Sequence, residues 1–153
     1  MKPFVGRDKE LERLEDLSKS GRACLVVIKG RRRIGKSRLA EEFGKNKKFL
    51  SFSGLAPVKA LTAQDQRNAF ALQLATLFHL PPLIFTDWSN AFAQLAKCLT
   101  KKPSVVLFDE ISWMGSKDPT FIPKLKVWWD LELQNHPSIV LILCGSISTW
   151  IDK

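Results

Sequence analysis

Gly30-Arg31-Arg32-Arg33-Ile34-Gly35-Lys36-Ser37 fits the pattern Gly-x-x-x-x-Gly-Lys-Ser/Thr, and its reading decides the fold. Gly30 and Gly35 allow backbone angles that a Cβ would forbid, so that successive amides can turn into one concave pocket. In such a loop the lysine, here Lys36, sets a compact positive charge against the β- and γ-phosphates of a nucleotide, and the Ser37 hydroxyl can ligate Mg²⁺. Both residues open a helix, whose N-terminal amides and dipole favour an anion at that end.

The flanks supply the setting this loop requires. Ala23-Cys24-Leu25-Val26-Val27-Ile28 is a short apolar run that reads as a buried parallel strand. Beyond the loop, Leu39, Ala40 and Phe43 mark one face of a helix over 36–46. The competing reading, a glycine turn with a surface lysine, accounts for none of this order of strand, loop and helix.

Working outward, the N-terminal side carries a helix starting at Asp8, with Leu11, Leu14 and Leu17 on one face and Gly21 as its stop. On the other side a weakly alternating strand over 48–54 leads into a loop over 55–65. A helix over about 65–79 is expected from Phe70, Leu74, Leu77 and Phe78, and Pro81-Pro82 closes it. The next helix is expected from Ser89, as N-cap, to about Thr100, with Phe92, Leu95, Ala96 and Leu99 at helical spacing. Ser104 to Phe108 reads as a buried strand ending in Asp109-Glu110. A helix over about 120–135 has Pro123 in its first turn and Leu125, Trp128 and Trp129 as core candidates. Ser138 to Leu143 is a last apolar strand, followed by Cys144-Gly145-Ser146. Strands alternating with helices imply a parallel sheet covered on both faces, whose ligands sit beyond the strands' C-terminal ends. The loop, Asp109-Glu110 and Ser146 all fall at that edge.

Asp109 follows four apolar residues, where a carboxylate can hold Mg²⁺ opposite Ser37. Glu110 can polarise a water for in-line attack on a γ-phosphate, and a divalent cation offsets the repulsion between the two neighbours. Taken alone the pair would read as a solvated acidic turn; the loop tips the balance towards metal-bound chemistry. Ser146 reads equally as a γ-phosphate contact or as a turn serine after Gly145. Of Arg31, Arg32 and Arg33, three consecutive side chains, not all can face one ligand. The tryptophans at 88, 113, 128, 129 and 150 fit packing better than base stacking, and the isolated His79 and His136 read as structural or surface residues.

Composition bounds the rest. One domain over 1–153 is the expectation for 153 residues with 45% hydrophobic content. No apolar run approaches the ~20 residues of a membrane helix. Cys24, Cys98 and Cys144 lie far apart without metal-type spacing, which points to buried free thiols and a cytoplasmic setting. The net charge of +9 can attract nucleic acid. Lys29, Arg31, Arg32, Arg33, Lys36 and Arg38 account for part of it around a polyanionic ligand, and no nucleic-acid motif accompanies the excess.

Phe4-Val5-Gly6-Arg7-Asp8-Lys9-Glu10-Leu11, the loop at 30–37, Phe108-Asp109-Glu110 and Leu143-Cys144-Gly145-Ser146 together resemble the predominantly archaeal ATPase family, a STAND branch of AAA+-like P-loop ATPases. The resemblance implies a three-layer α/β P-loop NTPase core with strand order 5-1-4-3-2, ATP and Mg²⁺ as cofactors, and ATP hydrolysis. It maps Gly30 to Ser37, with Arg38 next to them, onto Walker A, Asp109 and Glu110 onto Walker B, and Ser146 onto sensor 1. Gly6 and Arg7 map onto a box near the adenine. The family continues past the fourth strand with a fifth strand and a helical lid, whereas this sequence ends at Lys153, so the N-terminal part of a larger ATPase is expected.

The leading expectation is a Mg²⁺-dependent ATPase core that drives or times a conformational or assembly switch, with a partner protein or a second copy of itself. The alternatives are a nucleotide-binding oligomerisation module with little turnover, for which the lack of an identifiable arginine finger speaks, a DNA-associated ATPase, and a small-molecule kinase. The absence of a guanine-reading Asn-Lys-x-Asp argues for ATP over GTP.

Overall fold

The structure, a computed structural model, describes residues 8–29 and 36–145; for residues 8–11, 29, 36 and 37 it describes the backbone only. Gly6, Arg7, Gly30, Arg31, Arg32, Arg33, Ile34, Gly35 and Ser146, and with them Trp150, therefore lie outside the described residues, as do the side chains of Leu11, Lys36 and Ser37.

The described chain runs α1 (Asp8–Ser18), β1 (Cys24–Lys29), α2 (Lys36–Gly44), β2 (Lys48–Ser53), α3 (Ala63–Phe78), α4 (Trp88–Cys98), β3 (Ser104–Asp109), α5 (Ile111–Met114), α6 (Phe121–Leu131), a 3-10 turn (Leu133–Asn135) and β4 (Ile139–Gly145). The strands form one parallel sheet in the order β1-β4-β3-β2. That order is the 1-4-3-2 part of the arrangement the resemblance implied.

Burial follows directly from sequence pattern. In β4 every residue is buried, and in β3 all but Asp109, as central strands covered on both faces must be. β2, which pairs with β3 alone among the described residues, alternates instead. Two clusters cover the sheet. On one face Leu14 of α1 and Leu39, Ala40 and Phe43 of α2 pack on Val105, Leu107, Val140, Ile142 and Cys144. On the other, α3, α4 and α6 pack over Leu50, Phe52, Val106, Phe108, Leu141 and Leu143. This second core is strongly aromatic: Phe92 stacks on Trp128 at 5.0 Å between centroids and on Phe108 at 6.1 Å. Trp88 is wholly buried within it, as packing rather than ligand stacking requires.

Several boundaries differ from the sequence expectation, each for a local reason. α3 begins at Ala63, not near 65, because Thr62 and Asp65 form a reciprocal capping box. It ends where His79 takes a left-handed conformation, just before the prolines. The N-cap of α4 is Asp87, not Ser89: its carboxylate accepts the Ser89 N–H at 2.7 Å and binds Lys124 Nζ at 2.8 Å. That Lys124 bond, and then the Ser89 amide, hold the Asp87 carboxyl below the usual carboxylate range. The last long helix stops at Leu131 and tightens into the 3-10 turn. Leu17 and Leu77, expected in the core, are exposed. Of the three thiols only Cys144 is buried; Cys24 and Cys98 are half-buried.

Candidate functional site

The C-terminal edge of the sheet gathers the chemistry-bearing segments. β1 ends at Lys29, one residue before Gly30; β4 ends at Gly145, one before Ser146; β3 ends at Asp109. Register aligns Lys29 with Gly145 and Phe108 with Leu143, so the three strands finish at one level. Within β3, side chains alternate between the two faces, and Asp109 follows Val105 and Leu107 onto the face covered by α1 and α2. α2 starts with Lys36 and Ser37 on that same face. The structure thus brings the acidic strand end and the start of α2 to one side of the sheet; the loop at 30–35, between β1 and α2, lies outside the described residues.

Asp109 and Glu110 have different environments. Asp109 is half-buried, and its Oδ1 accepts the backbone N–H of Glu110 at 2.9 Å. Glu110 is 7% exposed, a buried carboxylate at the mouth of the sheet. Its backbone is left-handed, at φ 52° and ψ 50°. For a residue with a Cβ this conformation costs about 1–2 kcal/mol, and burying a carboxylate adds to the cost. Such strain persists only where the surroundings over-determine it, and it concentrates at functional sites.

The surroundings here are specific. The Glu110 carbonyl accepts from Trp113 N at 3.0 Å and Met114 N at 3.1 Å, which opens the short α5 that the sequence reading missed. Gly54 at the end of β2 donates its N–H to the Asp109 carbonyl at 3.1 Å. A Cβ on Gly54 would sit 2.5 Å from Met114 N and 2.8 Å from the Glu110 carbonyl oxygen, so the Glu110 turn rests on that bare α-carbon.

Behind Gly54 stand two glutamines of α3. Gln73 accepts the Ser53 N–H at 2.8 Å and donates to the Ser53 carbonyl at 3.0 Å. Gln66 does the same for Leu55, at 2.9 and 3.0 Å. Sequence reasoning placed 55–65 in a loop and missed all three residues. The readable signal was a glycine one step past a strand, with two glutamines two helical turns apart in the helix that follows.

Arg38 is half-buried in the first turn of α2. His79 is an exposed helix cap, and His136 lies beside the Pro137 carbonyl, so neither reaches the sheet edge. No helix among the described residues is long and apolar enough to cross a membrane.

Comparison with known proteins adds the following. The family described as an ATPase domain predominantly from Archaea matches residues 4–153. An uncharacterized protein of Methanocaldococcus jannaschii is 25% identical over 150 residues, covering 98% of this chain and 31% of that protein. Among solved structures, the Aeropyrum pernix ORC2 protein in ADPNP–ADP complexes superposes with a TM-score of 0.63 at 16% identity, over 97% of this chain and 43% of that one. Cdc6p from Pyrobaculum aerophilum gives a TM-score of 0.66 at 16% identity, over 100% and 42%. The fold is that of the P-loop AAA+ ATPases, and the chain spans about a third of the M. jannaschii relative and under half of either structure.

Proposed function

This chain belongs to the ATPase domain family found predominantly in Archaea, and on that premise we propose that it is the nucleotide-binding and hydrolytic core of a longer ATPase. The observation that carries the reading is the pair at the end of β3: a half-buried Asp109 on the face where α2 starts, followed by a buried, left-handed Glu110.

Lys36 and the amides of Gly30 to Ser37, with Arg31, Arg32, Arg33, Ile34 and Arg38 around them, bind the phosphates in this reading. The same reading assigns Gly6 and Arg7 to the adenine end and Ser146, the residue after β4, to the γ-phosphate. The Ser37 hydroxyl and the Asp109 carboxylate are hard oxygen donors of the kind Mg²⁺ takes, so these residues fit that ion. When bound, it supplies charge neutralisation at the β- and γ-phosphate oxygens. Asp109 has a second task within the chain, since it holds the Glu110 amide. The Glu110 carboxylate takes the proton of a water whose oxygen attacks the γ-phosphorus; the bond to the β-bridging oxygen breaks, giving ADP and phosphate. In this reading the turnover drives or times a conformational or assembly change.

The test is a titration with ATP, ADP and GTP, with and without Mg²⁺, beside phosphate release. Lys36→Ala is expected to weaken ATP binding at least tenfold. Equal affinity and equal release in wild type and Lys36→Ala would sink the reading. Tight binding with no release in the wild type would leave a nucleotide-gated switch in place of an enzyme.

A further inference from the structure

The geometry points to Gln66 and Gln73 as positioning residues that hold Glu110 in place through Gly54, an inference that rests on the hydrolytic reading of Glu110. Along β2 the backbone groups alternate in direction. Gly54 turns its N–H inward to the Asp109 carbonyl, while Ser53 and Leu55 on either side turn both their N–H and C=O outward. An outward-facing edge normally meets water or another strand. Here two side-chain amides meet it, each donating and accepting as a neighbouring strand would.

Edge protection alone leaves two features unexplained. Gln66 is only 1% exposed, although Leu55, whose backbone it binds, is itself an exposed residue. The two glutamines also bracket one residue, Gly54, and that residue is the one on which the Glu110 turn rests. With 53 and 55 fixed, Gly54 cannot rotate. Its α-carbon then forms the floor under the Glu110 carbonyl and Met114 N, and the left-handed Glu110 has no room to relax. The helix that supplies the clamp is itself fastened, by the Thr62–Asp65 capping box and by the Arg67–Asp118 ion pair at 3.3 Å, which ties it to the segment after α5. β2, α3 and the Glu110 turn thus form one closed frame.

The test uses Gln66→Glu, Gln66→Ala and Gln73→Ala in the full chain. Gln66→Glu is isosteric: ionised, it accepts the Leu55 N–H but repels the Leu55 carbonyl; protonated, it restores the donor. Amide hydrogen exchange at Gly54, Trp113 and Met114 is expected to speed at least tenfold in Gln66→Glu at neutral pH, with Leu141 unchanged. Phosphate release at saturating ATP should fall at least tenfold while ATP affinity stays within twofold. The ratio of variant to wild-type rate should recover as the pH drops and the new carboxyl protonates, a profile that loss of stability alone would not produce. Gln73→Ala, half-exposed and tolerant of truncation, should show the same pattern more weakly.

Exchange at Gly54, Trp113 and Met114 within twofold of wild type in the Gln66 variants overturns the proposal. So does faster exchange with unchanged turnover. A wild type that releases no phosphate counts against the hydrolytic reading instead, and the exchange rates still decide whether the clamp holds the turn.

Discussion

Gly54→Ala is the sharpest probe of the site, because one added carbon meets three backbone atoms and no flexible side chain. The new Cβ would lie 2.5 Å from Met114 N, 2.8 Å from the Glu110 carbonyl oxygen and 3.0 Å from Met114 Cα. Ordinary contact needs another half to one ångström, as a rough estimate from carbon van der Waals spacing. The glutamine clamps hold β2 from behind, so the displacement falls on the Glu110–Met114 turn. Overpacking of this kind costs about 1–3 kcal/mol. For a domain of this size each kcal/mol lowers the melting temperature by roughly 2–4 °C, which gives a loss of about 2–12 °C. Turnover should suffer far more, since a misplacement near 1 Å can cost on the order of 10²-fold. Nucleotide affinity should hold, because the segment proposed to bind the phosphates follows β1, which β4 and β3 separate from β2. The assay pairs a thermal melt with ATP titration and phosphate release, with rates referred to folded protein. A variant with the expected melting loss and an unchanged rate per folded molecule would refute the link between Gly54 and Glu110.

Further outcomes follow from the same structure. Glu110→Gln, which keeps shape but removes the basic carboxylate, is expected to cut phosphate release by about 10²–10⁴-fold with ATP affinity within a few-fold; equal release would remove Glu110 from the chemistry. Asp87→Ala deletes the α4 cap and the Lys124 pair and should cost about 1–2 kcal/mol at neutral pH by chemical denaturation. Because the folded Asp87 carboxyl lies below its ordinary value, that difference is present above the unfolded pKa, about 3.9, and fades as the pH falls through the folded one; a gap that widened in acid would contradict the assignment. Phe92→Ala opens the aromatic stack between Phe108 and Trp128 and should cost about 3–5 kcal/mol; a loss under about 1 kcal/mol would mean that this core collapses around the gap.

The layout of the fold was legible because its signals are local. β3 and β4 are continuous apolar runs, and only a strand covered on both faces tolerates that pattern. What escaped was decided by short polar exchanges across the chain. Asp87 outcompeted Ser89 as the α4 cap because Lys124, far along the sequence, holds its carboxylate. Leu77 has the periodicity of a core residue, yet it is exposed, because the apolar stripe of α3 is narrower than its composition suggests. Periodicity reports which residues could share a face, and tertiary packing selects how much of that face is covered.

At the site, legibility divides along the same line. Asp109 and Glu110 were readable as a type of residue at a type of place, a carboxylate pair closing a buried strand. Their inequality was not readable: one half-buried carboxylate caps the other's amide, while its neighbour is buried in a left-handed turn. That inequality is created by residues with no chemical signature of their own, a glycine and the side-chain amides of Gln66 and Gln73, which meet the outer edge of β2 as a neighbouring strand would. A motif names the groups that can act; in the proposed reading the frame around them gives metal binding to Asp109 and proton transfer to Glu110. If Gln66→Glu lowers turnover in step with the ionisation of residue 66, and regains it as that carboxyl protonates, the division of labour between Asp109 and Glu110 is set from α3, outside every motif in the sequence.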